Sequence, residues 1–410
     1  MDDIDFSDID VEVDPLGYGS AEIDGYSAKI SHDKQGRSAL EIARDELGYD
    51  GEIEKPENYD EKVRDKLGGF LENLAELGHT SCFYQHDRGV NLEVPRHTTM
   101  FLCQFDHPKN LQQSQRYTEA KEFMPHFSEN QDINSYYRDA KELYQEMISD
   151  DGDKIRKEDA RYVLPLGTAA KHIHHSLNLV TLANIYREMD REDARIPSMT
   201  EKAVKQTLEA LEEEEPAVYS ERMVEKFREG SAGFPVTQMF ADTNKALEEL
   251  GTPEGVEYFR KEVSTDNYRD SFLNLSNVSP GERKVEGFLT SMSLSAWHQF
   301  MRHDTMKQSV QSVYDAAKQG RIVVPPSIQG SEYEEEFEKL CEGGLALYDM
   351  FSDVYGDDMI ELVPHALEID VAFSLDHYNM NGGFMEDRDS SSAQWEIRDI
   401  AQEIDSMVGD

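Results

Sequence analysis

Hydrophobic side chains recur at helical spacing in four stretches of this chain. One runs from Val63 to Leu77 and is followed by Gly78, a residue type that commonly ends helices. Others run from Tyr136 to Met147 and from Tyr333 to Phe351. A fourth runs from Ala203 through Val204 and Leu208 to Leu211 and is followed by acidic residues. These patterns predict four amphipathic helices.

Two of the predicted helices are followed by the same succession of features. The helix ending near Met147 is followed by an acidic break and then by Val163-Leu164-Pro165, and the later helix by Gly356-Asp357-Asp358 and Leu362-Val363-Pro364. Ser114 precedes Pro165 by 51 positions, and Ser312 precedes Pro364 by 52. This shared spacing indicates one ancestral unit used twice.

The boundary between the two units is predicted near the acidic run Glu212 to Glu215 and the following Pro216. We therefore expect a first repeat over residues 1–218, which includes an acidic N-terminal extension, and a second over 219–410. Between the better-defined helices, strands are predicted near Phe272 to Val278 and near Val285 to Leu289.

Composition restricts the class of protein. The 410 residues include 84 acidic and 41 basic side chains, a formal net charge of −43 spread along the sequence. Such a charge repels phosphates, so general nucleic-acid binding and membrane association are not expected. It is typical of proteins from a salt-rich, halophilic cytoplasm, where screening removes the self-repulsion. Three cysteines without paired spacing fit a reducing compartment, and we expect a cytoplasmic protein without a metal site.

The first half carries three short motifs in a fixed order. They are Gly78-His79-Thr80-Ser81-Cys82-Phe83, Asn110-Leu111-Gln112-Gln113-Ser114-Gln115-Arg116-Tyr117 and Ala160-Arg161-Tyr162-Val163-Leu164-Pro165. These resemble the Gly-His-x-Ser-x-Phe, Asn-Glu-x-Ser-x-Arg-Tyr and Ala-Arg-x-x-Leu-Pro elements of flavin-dependent thymidylate synthases.

The second half carries different pieces of the same family pattern. The stretch Gln299-Phe300-Met301-Arg302-His303-Asp304, with Ser312 ten positions after Arg302, resembles the Arg-His-Arg signature and its serine. Arg388, five positions before Ala393-Gln394-Trp395-Glu396-Ile397-Arg398, resembles the family's closing element. The resemblance covers about residues 60 to 200 and 290 to 405.

The resemblance implies an α+β fold: two tandem copies of a thymidylate synthase complementing protein-like fold, each an antiparallel sheet flanked by long helices. It also implies methylation of dUMP to dTMP with FAD, with methylenetetrahydrofolate and NADPH as co-substrates. The active sites would be built from both repeats, and a homodimer forming a pseudo-tetramer is expected. A dianionic phosphate and a pyrimidine enolate both require fixed donors, which arginines and a serine supply.

The resemblance also assigns roles to residues. The implied catalytic residues are Ser114 and Arg388. The implied substrate-binding residues are Ser114, Arg116, Arg161, Gln299, Arg302 and Arg388. The implied flavin-binding residues are His79, Asn178, Arg302 and His303. Arg96, which also matches an arginine of the family, is interpreted as structural.

The chain departs from the family at several of these positions. Asp106 and Asp304 replace the second signature arginine, Tyr314 stands where the first half has Arg116, and Glu361 precedes the second Leu-Val-Pro. Two other functions therefore stay open. One is a divergent flavoenzyme that acts on another uridine-like nucleotide, and the other is a non-catalytic protein that binds a nucleotide or a partner.

Overall fold

The computed structural model describes the larger part of the chain. The described residues are 35, 42, 45, 61–77, 83–84, 87–105, 109–112, 114–116, 118–120, 130–149, 155–216, 218–230, 239–264, 282–303 and 306–408. They fall into two compact units. The first takes its described residues from Met1–Asp87, Asn178–Val180 and Ala210–Ser231, and the second from Arg88–Leu177, Thr181–Glu209 and Ala232–Asp410.

Helices and strands alternate irregularly along the chain. The helices are α1 (Glu61–Glu76), α2 (Arg96–Cys103), α3 (Gln131–Ser149), α4 (Lys157–Ala160), α5 (Leu179–Met189), α6 (Ser198–Glu214), α7 (Glu221–Gly230), α8 (Lys245–Glu248), α9 (Leu294–Phe300), α10 (Val313–Gln319), α11 (Glu334–Tyr355), α12 (His377–Asn381), α13 (Gly383–Arg388) and α14 (Trp395–Val408). The strands are β1 (Arg88–Pro95), β2 (Lys109–Leu111), β3 (Ala169–Leu177), β4 (Glu257–Ser264), β5 (Glu282–Ser293), β6 (Lys307–Val310) and β7 (Glu368–Ser374).

In the first compact unit, helix α1 packs against helix α7. Leu67, Leu71 and Leu74 of α1 are buried, as their helical spacing predicts, so the predicted first helix is confirmed. The rings of Phe83 and Phe227 meet edge to face, with centroids 4.7 Å apart. Within the described residues, every helix of the protein is too short or too polar to cross a membrane.

The second compact unit contains two antiparallel sheets, and three strands of each sheet follow the same order. One sheet has the order β1-β3-β2, and the other has β4-β5-β7-β6. With the edge strand β4 set aside, β5, β7 and β6 match β1, β3 and β2 in both chain order and sheet order. The expectation of two tandem α+β copies with antiparallel sheets is therefore confirmed. Strand β5 also confirms the strand predicted near Val285, whereas Phe272 to Val278 lies outside the described residues.

A long helix precedes the central strand of each sheet. Helix α3 buries Tyr136, Leu143, Tyr144 and Met147, and α11 buries a matching face, so both predicted helices are confirmed. Side chains from the two helices share one core cluster. This cluster includes Tyr144, Met147, Tyr162, Val163, Phe337 and Cys341.

The two copies also exchange backbone hydrogen bonds at their equivalent prolines. Pro165 and Pro364 form an antiparallel bridge. On one side of the bridge the Leu166 amide donates to the Val363 carbonyl at 2.9 Å, and on the other His365 donates to Leu164 at 2.9 Å. Because Leu164 and Pro165 follow the helical turn that begins at Arg161, this pairing places that turn beside Val363–His365 of the second copy.

Candidate functional site

The second copy contributes the short helix α9 and the residues that follow it. The Ser293 side chain accepts a hydrogen bond from the Ala296 amide and so caps the start of the helix. All seven residues of α9 are buried, including Gln299. The helix ends at Met301, so Arg302 lies just beyond it and is exposed.

The first copy contributes Arg161, which meets Gln299 at one carbonyl group. The Arg161 Nη2 donates to the Ser295 carbonyl at 3.4 Å, and the Gln299 amide donates to the same oxygen at 3.4 Å. A second donation, from Arg161 Nε to the Glu158 carbonyl at 3.2 Å, fixes the buried guanidinium. Two site residues predicted from different repeats therefore lie side by side.

The Asn110–Tyr117 motif places Ser114 and Arg116 at the same junction. The Arg116 amide donates to Ser114 Oγ at 3.3 Å, which holds the turn. The Arg116 guanidinium pairs with Glu158 at 2.6 Å and donates to the Ser392 carbonyl of the second copy at 3.1 Å. Arg116 therefore reaches from its own repeat to the loop that precedes α14.

Helix α13 ends at Arg388, which contacts His303. The Arg388 Nε donates to His303 Nε2 at 2.8 Å, and the His303 ring lies edge to face with Phe384. Burial, followed by the charge of Arg388, lowers the pKa of His303 to about 4. Because its Nε2 accepts a hydrogen bond, the neutral imidazole carries its proton on Nδ1 and keeps a donor there.

Arg96, interpreted as structural from the sequence, is buried at the start of α2 within this same group of cations. Its Nη1 donates to Gln112 Oε1 at 2.8 Å, and the Gln112 amide nitrogen lies 3.0 Å from His298 Nε2. Burial and the charges of Arg161 and Arg302 lower the pKa of Arg96 to about 9. The charges acting on Arg96 are thus mainly repulsive.

Five arginines each lie close enough to two others to repel them, and we call this set the arginine ring; Glu158 and Asp159 offset part of the repulsion at Arg161, and Asp387 part of that at Arg388. Burial is the largest cause that lowers the pKa of Arg96, Arg161 and Arg388, and in each case neighbouring guanidinium groups add to it. Arg161 and Arg302 act on Arg96, Arg116 acts on Arg161, and Arg302 and Arg116 act on Arg388. Arg96, Arg116 and Arg161 come from the first copy, and Arg302 and Arg388 from the second. Such a ring favours a ligand that carries more than one negative charge.

Two buried histidines beside the ring were missed in the sequence. Burial, together with the charges of Arg96 and Arg161, lowers the pKa of His298 and His365 well below 6.5, so both are neutral at pH 7. His298 lies four positions before Arg302, a helical spacing that points to one face and could have been noticed. His365 has no such signal, because it reaches the ring only through the pairing of Pro364 with Pro165.

Among the described residues, the buried polar atoms near the ring that have no hydrogen-bond partner include His365 Nε2 and Ser295 Oγ, and also Asp159 Oδ1 and Gln115 Oε1. The residues that carry them are all at least nine-tenths buried. Buried polar atoms are nearly always paired, and each unpaired one requires a reason. A polar ligand or ordered water at the ring would satisfy them.

The structure describes three of the four residues that the resemblance assigns to flavin. His79 lies outside the described residues. Asn178 belongs to the first compact unit, where its side-chain amide donates to Asp87 at 3.1 Å. The other two, Arg302 and His303, are adjacent in the chain and lie at the ring. Asp304, the departure from the signature, is outside the described residues.

Comparison with solved structures finds chains of limited similarity. Solved structures similar to this chain include a UMP/dUMP methylase, PolB, from Streptomyces cacaoi, bound with 5-Br dUMP. It shares 20% identity over 51% of this chain and 90% of that chain, with a TM-score of 0.36. The same methylase bound with 5-Br UMP shares 20% identity over 42% and 88% of the two chains, with a TM-score of 0.33. No protein of curated function matches the chain.

The family comparison covers most of the chain. The model of the thymidylate synthase complementing protein family matches residues 25–216 and again residues 238–410. The two matched regions contain the two sheets, and together they contain all five arginines of the ring. The chain therefore belongs to the thymidylate synthase complementing protein family, as a member in which the family domain occurs twice.

Proposed function

We propose that this protein methylates dUMP to dTMP, with methylenetetrahydrofolate as the carbon donor, FAD as the cofactor and NADPH as the reductant. The observation that carries the proposal is the arginine ring, in which cations from both copies converge on one place. A nucleoside monophosphate carries a phosphate dianion, and its pyrimidine develops enolate charge during attack at C6. Both charges need donors fixed in advance, because fixed donors require no reorganisation during the reaction.

The roles of individual residues follow from their positions. Arg116 and Ser114 form a turn whose hydroxyl and guanidinium are suited to the phosphate. Gln299 and Arg161, which share the Ser295 carbonyl, approach from opposite copies and orient the nucleotide between them. Arg388, held by neutral His303, supplies a cation for the charge that develops on the pyrimidine.

The residues at the ring also fit part of a flavin site. Arg302 is exposed, and His303 is neutral with its Nδ1 proton free of the Arg388 contact, so both offer donors to an isoalloxazine ring. Bound flavin would supply the hydride that reduces the transferred carbon. This chain's own residues hold and orient the nucleotide. The neighbouring imidazoles stay uncharged, so they do not add to the repulsion within the ring.

One experiment tests the composite site directly. Arg116→Ala and Arg302→Ala are each expected to weaken dUMP binding at least about 100-fold, since each removes charge-assisted hydrogen bonds to an anion. Calorimetry in concentrated salt measures the affinity. Arg138→Ala is the matched control, because Arg138 is 63% exposed and its partners among the described residues are neighbours on its own helix. Near-normal affinity in either ring variant would refute a site shared between the copies.

Two further measurements separate this function from its alternatives. A purified protein that absorbs at about 450 nm, or gains this band on addition of FAD, supports a flavoenzyme. A colourless protein that cannot be reconstituted supports a binding protein without catalysis. If flavin binds, tritium release from dUMP labelled at C5, dependent on methylenetetrahydrofolate, supports dUMP methylation. Its absence supports a flavoenzyme acting on another uridine-like nucleotide.

A further inference from the structure

Duplication should give this chain a second site, related to the first by the same repeat spacing. Ser114 and Ser312 are 198 positions apart, and the same offset relates Arg116 to Tyr314. It also relates Phe101 to Gln299 and Gln104 to Arg302. The second position therefore keeps a serine but has lost the glutamine and two arginines.

A short segment near the start of the second copy lies on two of these equivalent positions, Ser312 of its own copy and Phe101 of the first. We call Met239–Asp242 the inter-copy segment. Ser312 Oγ donates to the carbonyl of Ala241 at 2.6 Å, and the Val313 amide donates to the carbonyl of Met239 at 3.0 Å. The segment therefore satisfies the serine hydroxyl and the adjacent backbone amide.

An aromatic side chain of the inter-copy segment packs against Phe101, the counterpart of Gln299. The Phe240 ring meets the Phe101 ring edge to face, with centroids 5.7 Å apart. Phe101 stands where the first site has Gln299, so a polar contact for a ligand has become an apolar contact within the chain. Met239, Phe240 and Ala241 are all at least 97% buried.

The far side of the inter-copy segment is also fixed by the protein. The Asp242 amide donates to the Asp193 carbonyl at 2.9 Å, and the Arg195 amide donates to the Phe240 carbonyl at 3.0 Å. Tyr314, which replaces an arginine, donates from its hydroxyl to the Arg195 carbonyl at 2.7 Å.

Arg195, the cation beside this position, already forms an ion pair within the protein. The Arg195 guanidinium lies 3.9 Å from the centroid of the Tyr314 ring and pairs with Asp357 at 2.7 Å. An anionic ligand would therefore have to compete with Asp357 for Arg195, whereas at the arginine ring the charges of Arg161 and Arg302 both act on Arg96 with the same sign.

We propose that the inter-copy segment occupies the second site as an internal replacement for a ligand, so that each chain binds a single nucleotide, at the arginine ring. The occupied site then serves as an interface between the copies. The stoichiometry rests on the proposed nucleotide binding, but the occupancy of the second site does not.

Thiol accessibility tests the occupancy without any nucleotide. Ser312→Cys, Ser114→Cys and the exposed Ser391→Cys are each reacted with a thiol reagent in concentrated salt, with the unmodified sequence as the background. Because Ser312 is fully buried under Ala241, a cysteine at position 312 should react about 100-fold more slowly than a cysteine at position 391. A cysteine at position 114 should react faster than the cysteine at position 312. Phe240→Ala combined with Ser312→Cys should recover most of the difference.

Comparable reaction rates at 312 and 391 would overturn the proposal. If Ser312→Cys does not fold, Ala241→Cys gives the same test, since Ala241 is 1% exposed. Equilibrium dialysis with labelled dUMP gives the second readout: one nucleotide per chain supports the proposal, and two overturn it. Absence of nucleotide binding would refute the proposed function alone, because the thiol rates decide the occupancy independently.

Discussion

The Tyr162 hydroxyl donates a 2.8 Å hydrogen bond to the Glu396 carboxylate, which joins the residue beside Arg161 to the closing motif of the second copy. The same carboxylate accepts from the amide and the hydroxyl of Ser293, the residue that caps α9. The Gln394 amide donates to the Tyr162 hydroxyl at 2.6 Å. One buried carboxylate therefore positions both the helix that carries Gln299 and the turn that carries Arg161.

Removing this carboxylate should destabilise the protein. Glu396→Ala leaves three buried donors unpaired, and we expect the free energy of unfolding to fall by about 2–4 kcal/mol. Denaturant unfolding in concentrated salt measures the loss. Glu403→Ala, an exposed position on the same helix, should change it by less than about 0.5 kcal/mol. Equal effects of the two substitutions would contradict the positioning role of Glu396.

Arg96 should strengthen the binding of dUMP but destabilise the protein when no ligand is bound. Arg96→Met keeps the length of the side chain and removes a buried charge that Arg161 and Arg302 repel. We expect the ligand-free protein to gain about 1–2 kcal/mol of unfolding free energy, while its affinity for dUMP falls at least about 10-fold. Unfolding without ligand and calorimetry with dUMP measure the two effects. Arg138→Met should change neither, and a marked loss of stability in Arg96→Met would show that Arg96 is structural.

The two long helices approach closely at Gly344, and a side chain there should be costly. A Cβ at this position would lie 2.6 Å from Tyr136 Cζ and 2.8 Å from the Leu362 carbonyl oxygen. Gly344→Ala should therefore lower the melting temperature, at a cost of about 1–3 kcal/mol. The neighbouring Gly343 has open space around it, so Gly343→Ala should be neutral or stabilising by up to about 1 kcal/mol. The reverse order would show that the helices do not pack through Gly344.

Acid should destabilise the protein through its buried histidines. Burial holds the pKa of His298 and His365 well below 6.5, and that of His303 is about 4. The unfolded chain takes up these protons near pH 6.5 and the folded protein does not. Stability is therefore complete above pH 6.5 and falls as the pH decreases below it, by up to about 1.4 kcal/mol per pH unit for each histidine.

Unfolding measured between pH 5 and pH 7 checks this slope. His365→Gln should reduce the loss of unfolding free energy per pH unit by the contribution of one histidine, because glutamine does not titrate. His377→Gln, at an exposed position, is the matched control substitution. An unaltered slope in His365→Gln would mean that His365 takes up its proton at the same pH in the folded protein as in the unfolded chain.

The sequence by itself determined the long helices, the repeat and the residues of the two sets of motifs. Helical periodicity is local, so the spacing of Tyr136, Tyr144 and Met147 was sufficient to predict α3, and the matching spacing predicted α11. The tertiary structure decided which residues meet. Gln112 and His298 are 186 positions apart, so only the pairing of the copies could place them together beside Arg96. The same holds for the inter-copy segment, because the sequence around Met239–Asp242 carries no periodicity that shows where Ala241 lies. Burial and charge repulsion act through space, and a linear pattern specifies neither until the chain has folded.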